Sequence, residues 1–215
     1  MQRGLQWQDQ DTGQQTPRRQ LIEHNPSTVE SRYRYDLNFN YVDCYVKQMK
    51  PQIYQVEHIG SGSLSVMAKP VSGEWIDDEF RGISELGINR IVSLLESEES
   101  RDLGLNQEKQ VAEQNNIEFI SYPIKDRGLP RSVIQYLDFT KKLYQESASG
   151  LHTVIHCRAG IGRTGIIAAG VLLHCGFEPL DALNHISTKR GVEVPDTQEQ
   201  IDWVVQSYEA LSKGT

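Results

Sequence analysis

Cysteine is scarce in this chain: Cys44, Cys157 and Cys175 stand far apart, with no CxxC pair among them. That excludes a disulfide framework and a structural zinc site, and it points to a reducing, cytoplasmic location. Basic residues are in the minority, 22 Lys and Arg against 29 Asp and Glu, and no Lys/Arg run is present. A basic stripe is the electrostatic footprint of nucleic-acid binding, so nucleic acid is not expected as a partner. Long apolar runs are missing too. The most apolar stretch, Ile166 to Leu173, is interrupted by Gly170 and falls far short of the ~20 residues that cross a bilayer, so no membrane insertion is expected. The first 20 residues are polar and Gln-rich, unlike a signal peptide or an Arg-rich transit segment.

With 215 residues the chain can build one well-buried core but not two ordinary enzyme domains. Residues 1–26 have low hydrophobicity and no sustained period, and read as a flexible Gln-rich tail. Residues 27–60 read as an extension packing on the domain. Within them Ser31 to Gln55 is rich in Tyr, but no period decides its structure. From Leu64 onward the pattern clears. Short β-prone runs at Leu64 to Met67, Arg90 to Leu95, Glu118 to Ile124 and Thr153 to His156 alternate with helical spacing at Ile76 to Leu86, Gln107 to Asn115 and Ser132 to Gln145. In the last of these, Val133, Leu137, Phe139 and Leu143 are the expected core contacts. Three further helices are predicted to start near Gly162, Glu178 and Thr197. The first is apolar nearly all round and closes at Gly176, and Thr197 with Gln200 forms a capping box for the last. Such alternation predicts an α/β fold with a mostly parallel central sheet and helices on both faces.

The chemistry concentrates in Val154-Ile-His-Cys-Arg-Ala-Gly-Ile-Gly-Arg-Thr-Gly165, a strand that enters a glycine-containing loop and leaves as a helix. N–H groups at a helix N-terminus are unsatisfied, and the helix dipole adds roughly half a positive charge there, so the loop suits phosphate. Cysteine pKa values fall from about 8.5 to ~3.5–7.5 in such surroundings, which makes Cys157 a thiolate nucleophile. Arg163, six residues on, can hold two phosphate oxygens with its planar fork while Cys157 faces the phosphorus. His156 resembles a base for Cys157, yet adjacent strand residues point to opposite faces, which favours bracing of the loop over proton transfer. His152 and His156 are too far apart on an extended strand to chelate one metal, and no partner ligands stand nearby, so no metal and no cofactor are expected. Gly160, Gly162 and Gly165 also fit GxGxxG with Asp181 downstream, but Asp181 falls on a predicted helix and too little chain remains for a nucleotide fold. A Walker A loop fails for want of a Lys after the second glycine.

His156 to Gly165 resembles the HCxxGxxR[ST]G signature of protein tyrosine phosphatases, and the spacing from Leu64 to Leu211 resembles the compact dual-specificity branch. By that resemblance 61–215 is a phosphatase catalytic domain that hydrolyses phosphate monoesters through a phosphocysteine. Cys157 is the nucleophile, Arg163 binds phosphate, and the amides of Arg158, Ala159, Gly160, Ile161, Gly162 and Arg163 cradle its oxygens. Thr164 donates a hydroxyl hydrogen bond to the thiolate, and His156 fills the bracing position. The expected substrate is phosphotyrosine in a phosphoprotein, with phosphoserine and phosphothreonine also open. A phosphoinositide or other small phosphate ester, or a catalytically dead phosphate-binding module, is the alternative.

An alkoxide or phenoxide leaves poorly without a proton, so a general acid is needed. Asp126, in Tyr122-Pro-Ile-Lys-Asp-Arg-Gly-Leu-Pro130, lies upstream of the cysteine by the family's usual interval, with Gly128 and Pro130 suited to a hinged loop. Asp102 and Glu99 come next as acids. The loop lacks the Trp-Pro-Asp wording of classical tyrosine phosphatases. Where those place a water-positioning Gln, this chain has Asp196, and Gln200 matches a second family Gln. Ser31-Arg-Tyr-Arg-Tyr35 is only loosely similar to the phosphotyrosine-clamp segment. Arg158 is similar to one of two basic loop residues of phosphoinositide phosphatases, whose second position here holds Ile161.

Overall fold

A computed structural model describes residues 50–213. The 1–26 tail, Cys44, the Ser31 to Tyr35 segment and most of the 27–60 extension lie outside the described residues. Five strands form one sheet in the order β1-β2-β5-β3-β4: β1 (Tyr54–Ile59), β2 (Gly62–Met67), β3 (Arg90–Ser93), β4 (Glu118–Ser121) and β5 (His152–His156). The β1–β2 hairpin is antiparallel, and the other neighbours pair in parallel, as the alternation of strands and helices predicts.

Seven helices accompany the sheet among the described residues: α1 (Ile76–Glu85), α2 (Ser97–Asp102), α3 (Glu108–Gln114), α4 (Val133–Ala148), α5 (Gly162–His174), α6 (Pro179–Arg190) and α7 (Gln198–Lys213). The pleat sends alternate side chains to opposite faces. Thus Val66, Val92 and Ile155 join the core beneath α4 to α7, while Met67, Ile91 and Val154 join a second core beneath α1 and α3. The central helix α5 is buried along nearly its whole length, and Gly170 lets it lie against Tyr136, whose hydroxyl donates to the Ile166 carbonyl at 2.9 Å.

Four differences from the sequence reading have physical causes. β1 escaped notice because its buried residues, Val56 and Ile59, are three apart: a bulge between Gln55 and Glu57 breaks the period of two. α2 buries no residue, so it carries no apolar period. In α4 Leu143 is fully buried and Leu137 and Phe139 pack against the core as expected, but the other fully buried residues are Tyr136, Thr140 and Ser147, and Val133 is only half-buried. The helix is rotated so that two hydroxyl residues sit against α5 and its neighbours, which an apolar template misses. Finally, only half of the capping box on α7 forms. The Gln200 N–H donates to Thr197 Oγ1 at 3.3 Å, but its side chain turns to Asp196 N and Gly128 O.

Candidate active site

The chain leaves β5 at His156 and enters α5 at Gly162, so residues 157–161 form the loop at the C-terminal end of the central parallel strand. Parallel α/β sheets gather their ligand sites at this end. The N-cap of α5, Ile161, offers no side-chain cap, which leaves the first N–H groups of the helix unspent. The Arg158 carbonyl accepts from Lys69 N–H at 3.2 Å and the Ala159 carbonyl accepts from Arg190 Nη2 at 3.2 Å. None of the N–H groups from Arg158 to Ile161 donates a backbone hydrogen bond among the described residues. Gly160 has φ +69°, and a Cβ there would collide with the Met67 carbonyl. A Cβ on Gly162 would meet the Asp196 carboxylate. The loop therefore needs glycine at 160, tolerates a side chain at 162 only if Asp196 moves aside, and presents its N–H groups as free donors.

Cys157 is buried, yet it lines a cavity of about 310 Å³ together with Asp126, Arg127, Arg158, Ala159, Arg163 and Asp196. Arg163 is only 2% exposed. Glu99 of α2 grips it in a bidentate pair, Nη1 to Oε2 at 2.6 Å and Nη2 to Oε1 at 2.8 Å, and Nη1 also donates to the Ile124 carbonyl at 3.1 Å. Nη2 reaches Asp126 Oδ1 at 2.9 Å. Burial opposes the Arg163 charge, but Glu99, Cys157 and Asp126 outweigh it and raise the guanidinium pKa. Glu99 moves the other way: the hydrogen bond from Arg163, working against its own burial, holds its carboxyl below the ordinary range.

Asp126 thus stands beside Cys157 and Arg163, and its side chain is 58% exposed although it is paired with Arg163. Thr164 is fully buried beside the loop, but its Oγ1 makes no hydrogen bond, so the expected bond to the Cys157 sulfur is not formed in this structure. His156 is fully buried, with Nδ1 at 3.4 Å from the Cys157 carbonyl oxygen. Gln200 is spent on structure: Nε2 donates to the Gly128 carbonyl at 3.2 Å and Oε1 accepts from Asp196 N–H at 3.2 Å, tying the Asp126 segment to the chain ahead of α7. Asp196 is exposed and lines the cavity. Asp102 faces a neighbouring cavity of about 600 Å³ with Glu96, Glu98, Glu99 and Arg158. Asp181 lies in the first turn of α6, as expected. Sequence reasoning named Glu99 only as a reserve acid and missed Glu108 altogether. Both look like ordinary helix-surface glutamates, and no sequence pattern marks Glu108 as buried or Glu99 as an arginine's partner.

The arrangement gathers a cysteine sulfur, a ring of free N–H donors, an anchored guanidinium and an exposed carboxyl around one cavity. The family sequence model described as "Swiss Army Knife protein, DSP-PTPase phosphatase domain" matches residues 54–210. This chain belongs to the protein tyrosine phosphatase superfamily, in its compact dual-specificity-like branch. It is 31% identical over 85 residues to protein tyrosine phosphatase type IVA 2 of Mus musculus, covering 39% of this chain and 50% of that one. It is 30% identical over 116 residues to tyrosine-protein phosphatase 1 of Caenorhabditis elegans, covering 50% of this chain and 10% of that one. The chain spans half or less of the length of these curated relatives. In fold it is similar to the kinase associated phosphatase, with a TM-score of 0.67 at 20% identity, over 75% of this chain and 96% of that one. The active form of Tk-PTP gives 0.58 at 25% identity, over 73% and 97%.

Proposed function

We propose that the chain is a cysteine-dependent phosphatase acting on phosphoproteins, with phosphotyrosine as the main substrate and phosphoserine and phosphothreonine within its range. The observation that carries this reading is the shared cavity: Cys157, Arg163 and Asp126 line one space at the mouth of a loop whose N–H groups are unspent. The Cys157 thiolate attacks phosphorus, the P–O ester bond breaks, and Asp126 gives its proton to the departing oxygen. The amides of residues 158 to 163 and the Arg163 guanidinium hold the three peripheral oxygens as charge shifts among them. Water then attacks the phosphocysteine, its proton returns to Asp126, and sulfur leaves as thiolate, releasing inorganic phosphate. Thr164 Oγ1 has no other partner, which leaves its hydroxyl free to donate to the sulfur. We assign the orienting of the water to Asp196 rather than Gln200; the Gln200 amide, already bound at both ends, supports this choice.

Protein rather than lipid substrate is supported by the acidic wall next to the cradle. Glu96, Glu98, Glu99 and Asp102 line the adjoining cavity against a single cation, Arg158, and a headgroup carrying several phosphates would be repelled by that excess of negative charge. The catalytic unit we propose is 61–215 together with β1, which completes the sheet. No described helix is long and apolar enough to cross a membrane. A cytoplasmic setting is supported by the free thiols Cys157 and Cys175. The test is Cys157→Ser assayed on an aryl phosphate, a phosphopeptide panel and phosphoinositides. A neutral hydroxyl lacks the thiolate's nucleophilicity, so turnover disappears while phosphate binding persists. Turnover near wild type in that variant ends the covalent mechanism, and preferential hydrolysis of phosphoinositides by the wild type overturns the substrate assignment.

A further inference from the structure

We propose that Glu108 is a positioning residue for the nucleophile: it holds His156 with a proton on each ring nitrogen, placing the ring's positive charge behind Cys157. This rests on the reading of Cys157 as the nucleophile. Glu108 is the first residue of α3, a place where glutamate is ordinarily solvated, yet here it is 2% exposed. Its Oε2 accepts from Ser93 Oγ of β3 at 3.2 Å. Its Oε1 stands 2.7 Å from His156 Nε2. That contact lies off the line of an ideal hydrogen bond, and neither atom has another partner among the described residues, so each has only the other to satisfy it. On the far side of the ring, Nδ1 faces the Cys157 carbonyl oxygen.

The ring is therefore flanked by two acceptors, a carboxylate and a carbonyl. A neutral imidazole has one N–H and one lone pair, so it would set its lone pair against an acceptor on one side; a ring protonated at both nitrogens donates to both. A carboxylate buried alone costs several kcal/mol, and an imidazolium partner offsets that. Ser93 supports the ionised form, since its hydroxyl donates to the carboxylate. The consequence is a cation next in sequence to Cys157, which favours thiolate over thiol in the same direction as Arg163 does. Other charged groups also face Cys157. Arg158, Arg163, Asp126 and Asp196 line its cavity and Glu99 lies on Arg163, and none of them touches Glu108.

The rate of Cys157 alkylation by iodoacetamide as a function of pH, followed by peptide mass, reads thiolate formation without requiring turnover. In Glu108→Gln the midpoint moves up by about one pH unit, which is ~10-fold slower alkylation below it. An unmoved midpoint in the folded Gln variant overturns the proposal, even if activity falls, because a purely structural role lowers stability and kcat without shifting the thiol's titration. A second measurement needs no variant: ring ¹⁵N shifts of His156 in the wild-type chain show both nitrogens protonated near neutral pH. An unprotonated Nε2 there, with the proton on Glu108, also overturns it. If instead Cys157→Ser retains turnover, it is the nucleophile assignment that fails, and the alkylation curve remains a separate result.

Discussion

Arg90 and Arg163 are both only 2% exposed and both held by two carboxylates, yet one builds the fold and the other faces the cavity. Arg90 on β3 uses every nitrogen on its anchors: Nε and Nη2 on Glu118 of β4, and Nη1 on Glu146 of α4. It pins an edge strand and a helix to the sheet. Arg163 spends its Nη1 and Nη2 edge on Glu99, while Nε makes no hydrogen bond among the described residues and the side chain lines the Cys157 cavity. Burial and ion pairing do not distinguish a working arginine. A donor edge left open beside the cavity of Cys157 does.

The comparison breaks most sharply at Arg163→Lys. An ammonium can fill one guanidinium position but cannot grip Glu99 and phosphate together. Losing one preorganised donor costs about 10²–10³-fold, and here two are compromised, so kcat/KM on an aryl phosphate falls on the order of 10⁴-fold. A value near wild type places the phosphate elsewhere. Asp126→Ala follows: general acid catalysis contributes about 10²–10⁴-fold, so kcat on phosphotyrosine peptides drops by that range with little change in KM. Activated aryl esters, which depart without a proton, lose much less. Equal losses for both leaving groups reassign the acid.

The same contrast explains what could be read from the sequence. The stretch from His156 to Gly165 was legible because its pattern is local: only glycine fits at position 160, a glycine at 162 makes room for Asp196, and the cysteine and arginine six apart both line the cavity that this loop borders. The place of Asp126 beside Cys157 and Arg163 was legible through its interval and its glycine and proline neighbours. The partners of these residues were not. Glu99 and Glu108 lie on short helices where a glutamate usually faces water, and what half-buries Glu99 and fully buries Glu108 is the approach of α2 and α3 to Arg163 and His156, contacts between segments some fifty to sixty residues apart. Arg90 is hidden for the same reason, since its acceptors come from Glu118 and Glu146. Sequence patterns encode a residue's own backbone needs far better than its distant neighbours.

Arg90→Met should separate stability from chemistry. Breaking a buried pair costs 3–5 kcal/mol when the orphaned charge stays buried, but the Glu118 and Glu146 side chains are 52% and 31% exposed and regain water. We expect a loss of about 2 kcal/mol, roughly 30-fold in the folding equilibrium, with kcat per folded molecule unchanged. A fall in kcat would mean that the edge of the sheet supports the site.

The smallest effect is expected at Glu99→Gln, and its pH dependence is what makes it informative. The Glu99 carboxyl is held below its ordinary value of 4.5 in the folded chain, chiefly by the hydrogen bond from Arg163. A depressed folded pKa means the unfolded chain binds the proton more readily, so the stabilisation is complete above the unfolded value near 4.5 and is lost as pH falls through the lower folded one. Glutamine keeps an acceptor for one guanidinium nitrogen but carries no charge. Hydrogen bonds to charged groups contribute about 1.5–3 kcal/mol, and with one retained we expect the variant to be less stable by about 1 kcal/mol near neutral pH. Urea unfolding of both proteins across the acid range should show that gap constant above the ordinary carboxyl value and closing below it. A gap that persists undiminished into strong acid would mean that Glu99 acts through packing of α2 and not through its charge on Arg163.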